Sequence, residues 1–269
     1  MSQKVSFRIK KDVEEFYNSR TILYALIRKD LFGKHKNSLL GFGWHFCMPI
    51  IMLTIYYITF ASGIRASSID NFIVYLSSGL FLFTYMTSNI INGASCITSN
   101  SNMIKKMYFP RSMVILAQTI SSFIVMLIGY VVVFSAILII GYEINILSIL
   151  LMVVILCLSL VFVTGYCLIF ASINVYYRDV QYFLSSVSVV FFFITPMYYT
   201  VDSINGSTMS MIVWGNPLTY YVECIHDCIY YGTVPSLSLM CIAIILSTLT
   251  LVMGLLVFEK LKHGFAERL

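Results

Sequence analysis

The run MVILAQTISSFIVMLIGYVVVFSAILII, residues 113–140, holds 28 residues without a single charged side chain. As a helix rising about 1.5 Å per residue it reaches roughly 42 Å, longer than the bilayer's hydrocarbon core of about 30 Å. A run of that length reads as a bilayer crossing, tilted to absorb the excess.

The rest of the chain agrees with this stretch. Of 269 residues, 59% are apolar and 11% charged, with a mean hydropathy of +0.88, where soluble chains average about 25% charged. Five more stretches are long and apolar enough to cross, near 44–62, 71–93, 145–173, 182–200 and 237–258. The expected fold class is an all-α polytopic membrane protein with six transmembrane helices. Residues 1–43 carry nine Lys or Arg and no continuous apolar core of the kind a cleavable signal needs, so that region is expected in the cytoplasm.

Basic residues close to spans resist translocation, and their distribution sets the orientation. With six spans and the N-terminus inside, the inner side holds the nine basic residues before Trp44, then Lys105, Lys106, Arg111, Arg178, Lys260, Lys262 and Arg268. Only Arg65 falls outside. An odd span number would place the three C-terminal cations on the wrong side, so the charge pattern supports an even count.

Several chemistries lack the residues they need. The spans carry no central charge of the kind that ion-coupled transporters use to hold a coupling ion. No GxxxxGK[ST] loop is present, and Gly33-Lys34-His35 lacks the Ser or Thr that would hold magnesium. The chain is expected to bind no cofactor itself, ATP and magnesium belonging to a partner. His35, His45, His226 and His263 are scattered without ligand spacing, so no catalytic residue is assigned. The seven cysteines, Cys47, Cys96, Cys157, Cys167, Cys224, Cys228 and Cys241, read as small apolar side chains. In Glu223-Cys224-Ile225-His226-Asp227-Cys228 the two cysteines share a helical face while His226 points away, so no metal site is assigned there either. Nucleic acid is not an expected partner. A transporter powered by a separate ATPase fits this pattern.

Such a partner needs a cytoplasmic docking surface, and residues 99–111 supply a candidate. Met103, Ile104, Met107 and Tyr108 fall on one helical face, Lys105 and Lys106 on another, and Pro110 stops the helix. The same pattern suits an interfacial helix anchored by Tyr108 and two snorkelling lysines, and spacing alone does not separate the two. In the N-terminal region Val13, Phe16, Tyr17, Tyr24, Ile27 and Leu31 recur at helical spacing between Lys10, Lys11, Arg20 and Arg28, as in a basic amphipathic helix on a membrane surface. Ser19 is a plausible N-cap dividing it in two, although a basic arm can also serve topology alone. Between the fifth and sixth spans, Asp202, Asn205-Gly206, Gly215-Asn216-Pro217 and Gly232 break pieces too short to cross. Residues 201–236 therefore read as a re-entrant outer gate or as an amphipathic loop on the outer leaflet.

The run Asn102-Met103-Ile104-Lys105-Lys106-Met107-Tyr108-Phe109-Pro110-Arg111 closely resembles the signature after the second span in permease subunits of polysaccharide-export ABC transporters, the family that exports O-antigen, capsule and teichoic acid chains. Further matches are Arg28 with Ser38-Leu39-Leu40-Gly41-Phe42-Gly43-Trp44 and Pro49, Tyr177-Arg178-Asp179-Val180, Thr195-Pro196-Met197-Tyr198-Tyr199, Asn216-Pro217 and Phe265-Ala266-Glu267-Arg268-Leu269. His35 stands where the family commonly has Tyr, and Gly43 replaces a bulkier apolar residue. The resemblance implies a type-2 ABC exporter in the bacterial cytoplasmic (inner) membrane with both termini cytoplasmic. It implies a homodimer with a channel between protomers and two copies of a separate nucleotide-binding subunit below. It further implies that residues 99–111 form the coupling helix, that Arg28, Trp44, Arg178 and Asp179 belong to the cytoplasmic gate, and that lipid-linked polysaccharide is the substrate. A sugar chain needs stacking surfaces for its C–H faces, and Tyr56, Tyr57, Phe60, Phe81, Phe83, Tyr85, Tyr198 and Tyr199 are the candidates. About half of them would serve equally as interfacial or lipid-facing aromatics.

Overall fold

The computed structural model describes residues 20–33, 38–61, 69–106, 109–141, 145–204 and 206–268. Val13, Phe16, Tyr17, Ser19, His35, Arg65, Met107, Tyr108 and Leu269 lie outside the described residues. Every regular element among those described is helical: α1 Arg20–Gly33, α2 Trp44–Ala61, α3 Phe72–Ser99, α4 Ser101–Lys106, α5 Ser112–Ile140, α6 Ile146–Tyr176, α7 Val180–Ile194, α8 Thr208–Gly215, α9 Pro217–Ile229, α10 Leu237–Leu261 and α11 Phe265–Arg268.

Five of these, α2, α3, α5, α6 and α10, are long and apolar enough to span a bilayer. The expected fifth span over 182–200 is shorter: α7 has 15 residues, about 22 Å of helix. Pro196 accounts for the early stop, because it pushes the residue before it out of the α region, and Thr195 is extended at φ −75°, ψ 130°. The chain beyond it folds inward, where the Tyr75 hydroxyl donates to the main-chain oxygens of Pro196 at 3.3 Å and Tyr199 at 2.8 Å.

Helix α3 is the axis of the bundle. It packs against α5, α6, α7 and α9, and 83% of its apolar window is buried against 6% of that in α2. Small residues permit the close approach, as is usual where helices meet within a bilayer. A Cβ on Gly93 would strike Cys167 of α6, and one on Gly129 of α5 would stand 2.8 Å from the Phe81 ring. The most extensive packing joins α6 to α10. There Gly165 and Gly254 meet backbone to backbone: a Cβ on Gly165 would lie 2.5 Å from the Leu251 nitrogen.

The ends are fixed locally. Gly141 closes α5 in the left-handed region at φ 75°, where a glycine carries no Cβ penalty. Asn145 and Asn216 cap α6 and α9, each side-chain oxygen accepting from the main-chain N–H two residues on at 3.0 Å. Pro217 opens α9, where its missing donor costs nothing.

The interval between α7 and α10 holds two helices. Helix α9 buries nine residues, Leu218, Thr219, Tyr221, Val222, Cys224, Ile225, His226, Cys228 and Ile229, against α3, α6 and α10. Helix α8 buries only Val213, with Met211 and Ile212 exposed.

In the N-terminal helix, Ile27 and Leu31 of the face its spacing suggested turn to the protein and Tyr24 does not. Leu26 and Leu31 are buried, Ile22, Leu23 and Ile27 pack on the same core, and Tyr24 is 67% exposed. Helix α1 lies against α5, so contact with the bundle, rather than hydrophobic periodicity alone, chose the buried side.

Candidate functional site

Four elements meet around one aromatic ring. Phe192 of α7 has centroid distances of 5.6 Å to Tyr56, 6.4 Å to Phe60, 6.0 Å to Phe83 and 5.9 Å to Tyr198. Phe60 and Tyr198 stack at 4.6 Å with an 11° interplanar angle. The i, i+4 step places Tyr56 above Phe60 on α2, Phe83 above Thr87 on α3, and Ser188 above Phe192 on α7. Tyr56, Phe83, Thr87, Ser188 and Phe192 line a groove of about 460 Å³ with Thr84, Ser88, Ile91, Val189 and Phe193, and Phe60 and Tyr198 pack beside it through Phe192.

The groove carries no charge and two kinds of surface. Aromatic faces line one part, and Thr84, Thr87, Ser88 and Ser188 line another. The Thr87 hydroxyl donates to the Phe83 carbonyl at 2.8 Å and the Ser88 hydroxyl to that of Tyr85 at 3.1 Å. A hydroxyl that donates back to its own helix keeps acceptor lone pairs. The lining therefore suits a neutral, hydroxyl-rich ligand with C–H faces, held by many weak contacts.

Of the aromatics read from sequence, Tyr56, Phe60, Phe83 and Tyr198 gather at Phe192, and Tyr199 adjoins through Tyr198 at 5.2 Å. The other three lie elsewhere. Tyr57 is 39% exposed and faces Phe72 at 6.3 Å. Phe81 packs on Tyr130 at 6.2 Å and Tyr85 on Phe123 at 5.7 Å, both toward α5. Phe192 itself was missed, along with the hydroxyls of α3; within Phe191-Phe192-Phe193 nothing in the sequence marks which ring turns inward.

At the C-terminal end of α3 lies the candidate docking segment. Helix α4 is six residues long. Its apolar residues Met103 and Ile104 pack on the core of the bundle, whereas Asn102, Lys105 and Lys106 are exposed. Among the described residues the face presented outward is thus polar and basic. Phe109 is buried, and Pro110 leads into Arg111. Two hydrogen bonds tie the segment to remote parts of the chain: Lys29 Nζ of α1 donates to Asn100 Oδ1 at 2.7 Å, and Arg111 Nη1 donates to the Lys262 carbonyl at 2.6 Å. The Arg111 guanidinium also lies 5.7 Å from the ring centre of buried Phe265.

The gate residues read from sequence are dispersed around this end. Arg28 is exposed on α1, Trp44 begins α2 half-buried, and Arg178 and Asp179 stand exposed in the turn joining α6 to α7.

At the far end, α9 presents a buried polar cluster. His226 is fully buried, stacks on Tyr75 at 4.0 Å and has Nδ1 3.5 Å from Glu223 Oε1. Gly79 admits its ring, since a Cβ there would lie 2.7 Å from Nε2. Half-buried Asp227 has its carboxyl pushed up to about 6, first by burial and then by Glu223, with His226 acting in the other direction. Tyr230 anchors the helix end by donating to the Asp70 carbonyl at 2.7 Å.

Comparison with known proteins shows what the chain is similar to. The ABC-2 type transporter family matches residues 21–230. An O-antigen export system permease protein RfbA of Klebsiella pneumoniae is 29% identical over 246 residues, covering 91% of this chain and 94% of that protein. A second protein of that name from K. pneumoniae is 27% identical over the same shares. A Myxococcus xanthus protein of the same name is 26% identical over 261 residues, 95% of this chain and 98% of its own.

Proposed function

Because the chain belongs to the ABC-2 type transporter family, we propose that it is the permease subunit of an ATP-driven exporter that moves lipid-linked polysaccharide out of the cytoplasm. The names of its relatives, which span nearly its whole length, support polysaccharide as the cargo class. The observation that carries the reading is the groove around Phe192, uncharged, aromatic on one part and hydroxylated on another. A polymer that must slide needs contacts that are numerous and individually weak, and stacking surfaces with spare acceptors supply them.

In this reading two copies of the chain assemble, and the exposed apolar faces of α2 and α7 meet their counterparts around a shared path. Exposed Ile51, Ile55, Phe183 and Val190 belong to those faces. Helix α7 supplies a sixth, shorter crossing, and α8 and α9 together form a re-entrant outer gate, which leaves both termini cytoplasmic. Two nucleotide-binding subunits dock on Asn102, Lys105 and Lys106 and hold ATP and magnesium within themselves. ATP binding moves α4, and the motion passes to α1 through Lys29 and Asn100 and to the C-terminal end of α10 through Arg111. No step of chemistry falls to this chain; its work is the change in shape of the path.

The test is Phe192→Ala in cells that depend on this chain for surface polymer. The expected result is at least a tenfold loss of surface polymer, with lipid-linked polymer accumulating inside and the permease still present in the membrane. Unchanged surface polymer overturns the assignment of the groove.

A further inference from the structure

Where α7 stops at Pro196, the segment from Thr195 to Tyr199 is held by two buried side chains from different parts of the bundle. From α3, the Tyr75 hydroxyl donates to the Tyr199 carbonyl at 2.8 Å and lies 3.3 Å from that of Pro196, so one phenol spans the segment. From the cap of α9, Asn216 donates through Nδ2 to Thr195 Oγ1 at 2.8 Å while its Oδ1 accepts from the Leu218 N–H at 3.0 Å. Thr195 completes the relay by donating to the Phe191 carbonyl at 2.7 Å. Tyr75, Thr195 and Asn216 are all buried, where a hydrogen bond is strengthened by the low dielectric and is costly to leave unmade. Between the two grips lies Tyr198. Its ring stacks on Phe60 at 4.6 Å and stands 5.9 Å from Phe192, and its hydroxyl donates to the Phe193 carbonyl at 3.2 Å.

We propose that Tyr75 and Asn216 are positioning residues for the groove: they fix the 195–199 turn, the turn fixes Tyr198, and Tyr198 sets where Phe192 and Phe60 stand. Neither belongs to the groove lining itself. Packing alone does not call for their polar atoms. The Tyr75 ring is already seated against His226 at 4.0 Å and Tyr230 at 5.1 Å, yet its hydroxyl reaches across to another segment. Asn145 caps α6 with its side-chain oxygen, and Asn216 does the same for α9 while turning its amide to Thr195. Because Asn216 is the cap of α9, a shift in the seat of α9 moves Thr195 and with it the stacked rings beside the groove. The positioning stands on this geometry, whereas its consequence for export rests on the transport reading.

The experiment places 4-fluorophenylalanine at position 192 of the full chain in phosphatidylcholine nanodiscs and reads its fluorine resonance, which the ring currents of Tyr198 and Phe60 displace. Tyr75→Phe removes one hydroxyl and keeps the ring. Thr195→Val removes the acceptor of Asn216 and keeps the branched shape, and Thr195→Ser keeps the acceptor. Tyr130→Phe is the matched control, since it removes a phenol's bond of the same kind, to the Ser78 carbonyl at 2.8 Å, elsewhere on α3. Tyr75→Phe and Thr195→Val should each move or split the resonance, while Thr195→Ser and Tyr130→Phe leave it in place. In cells the first two should lower surface polymer by about threefold to tenfold, the value of one hydrogen bond. A resonance unmoved by Tyr75→Phe and Thr195→Val, or moved equally by Tyr130→Phe, overturns the proposal whatever happens to export. A moved resonance with undiminished export upholds the positioning and counts against the groove as the path. If Thr195→Val does not reach the membrane, the contrast between Tyr75→Phe and Tyr130→Phe decides.

Discussion

Arg111 Nη1 donates to the main-chain carbonyl of Lys262 across 2.6 Å, which ties the residue that ends the candidate docking segment to the C-terminal end of α10. Phe265 beneath the guanidinium and Tyr176, whose hydroxyl donates to the Leu261 carbonyl at 3.0 Å, close the same joint. In the proposed function this joint is the route by which a displacement of α4 reaches α10. Hydrogen bonds from charged donors are worth about 1.5–3 kcal/mol. Arg111→Ala should leave the chain in the membrane but uncouple it: partner ATPase activity stimulated by the permease falls several-fold while binding of the partner is retained. Undiminished stimulation in the variant would exclude this joint from coupling.

Lys105 and Lys106 are exposed on α4 and make the outward face basic. Replacing both with Glu reverses four units of charge at the proposed docking surface. Co-purification with the nucleotide-binding subunit should be lost, with a steep salt dependence in the wild type. Co-purification that survives the reversal would identify the lysines as interfacial anchors.

The crossing of α6 and α10 depends on Gly165 and Gly254, where backbones touch. Gly165→Leu forces the helices apart and should lower stability by about 3 kcal/mol or more, beyond ordinary overpacking, because main chain cannot move aside as a side chain can. Thermal unfolding in detergent reads the effect. Gly141→Ala at the end of α5 meets no neighbour but holds φ 75°, and should cost only about 1 kcal/mol.

Burial raises the Asp227 carboxyl from 3.8 to about 6 in the folded chain. The folded state then holds that proton more tightly than the unfolded state does. Its contribution to stability is greatest below about 4 and is lost as pH rises toward 6. Asp227→Asn should accordingly raise the melting temperature relative to wild type at pH 7, and the gain should shrink as pH falls through that window. An equal gain at pH 4 and pH 7 would show that the carboxyl's ionisation is not its source.

Much of this architecture was legible in the sequence because a bilayer imposes length and charge rules that composition alone reveals. The uncharged run at Met113–Ile140 became α5, Ser112–Ile140, almost unchanged. The fifth span was read too long, since hydropathy runs straight through Thr195-Pro196 although the backbone cannot. Five of the expected aromatics gather around or beside Phe192, with Tyr56 and Phe83 lining the groove, but Phe81 and Tyr85 turn toward α5. Neighbouring residues on one helix face opposite walls, and which wall borders the path depends on packing partners far away in sequence. The apolar face of α4 was legible as a face, but its destination was not: Met103 and Ile104 pack on the chain's own core.

The most direct measurement places a photo-crosslinking amino acid at position 192 and follows the chain, together with its nucleotide-binding subunit, in vesicles loaded with lipid-linked polysaccharide. The account predicts crosslinks from position 192 to polymer sugar that appear during ATP turnover and vanish without ATP or without the partner. Abundant ATP turnover and export with no crosslink at 192, and with crosslinks confined to the surface of α10, would contradict a path through the Phe192 groove.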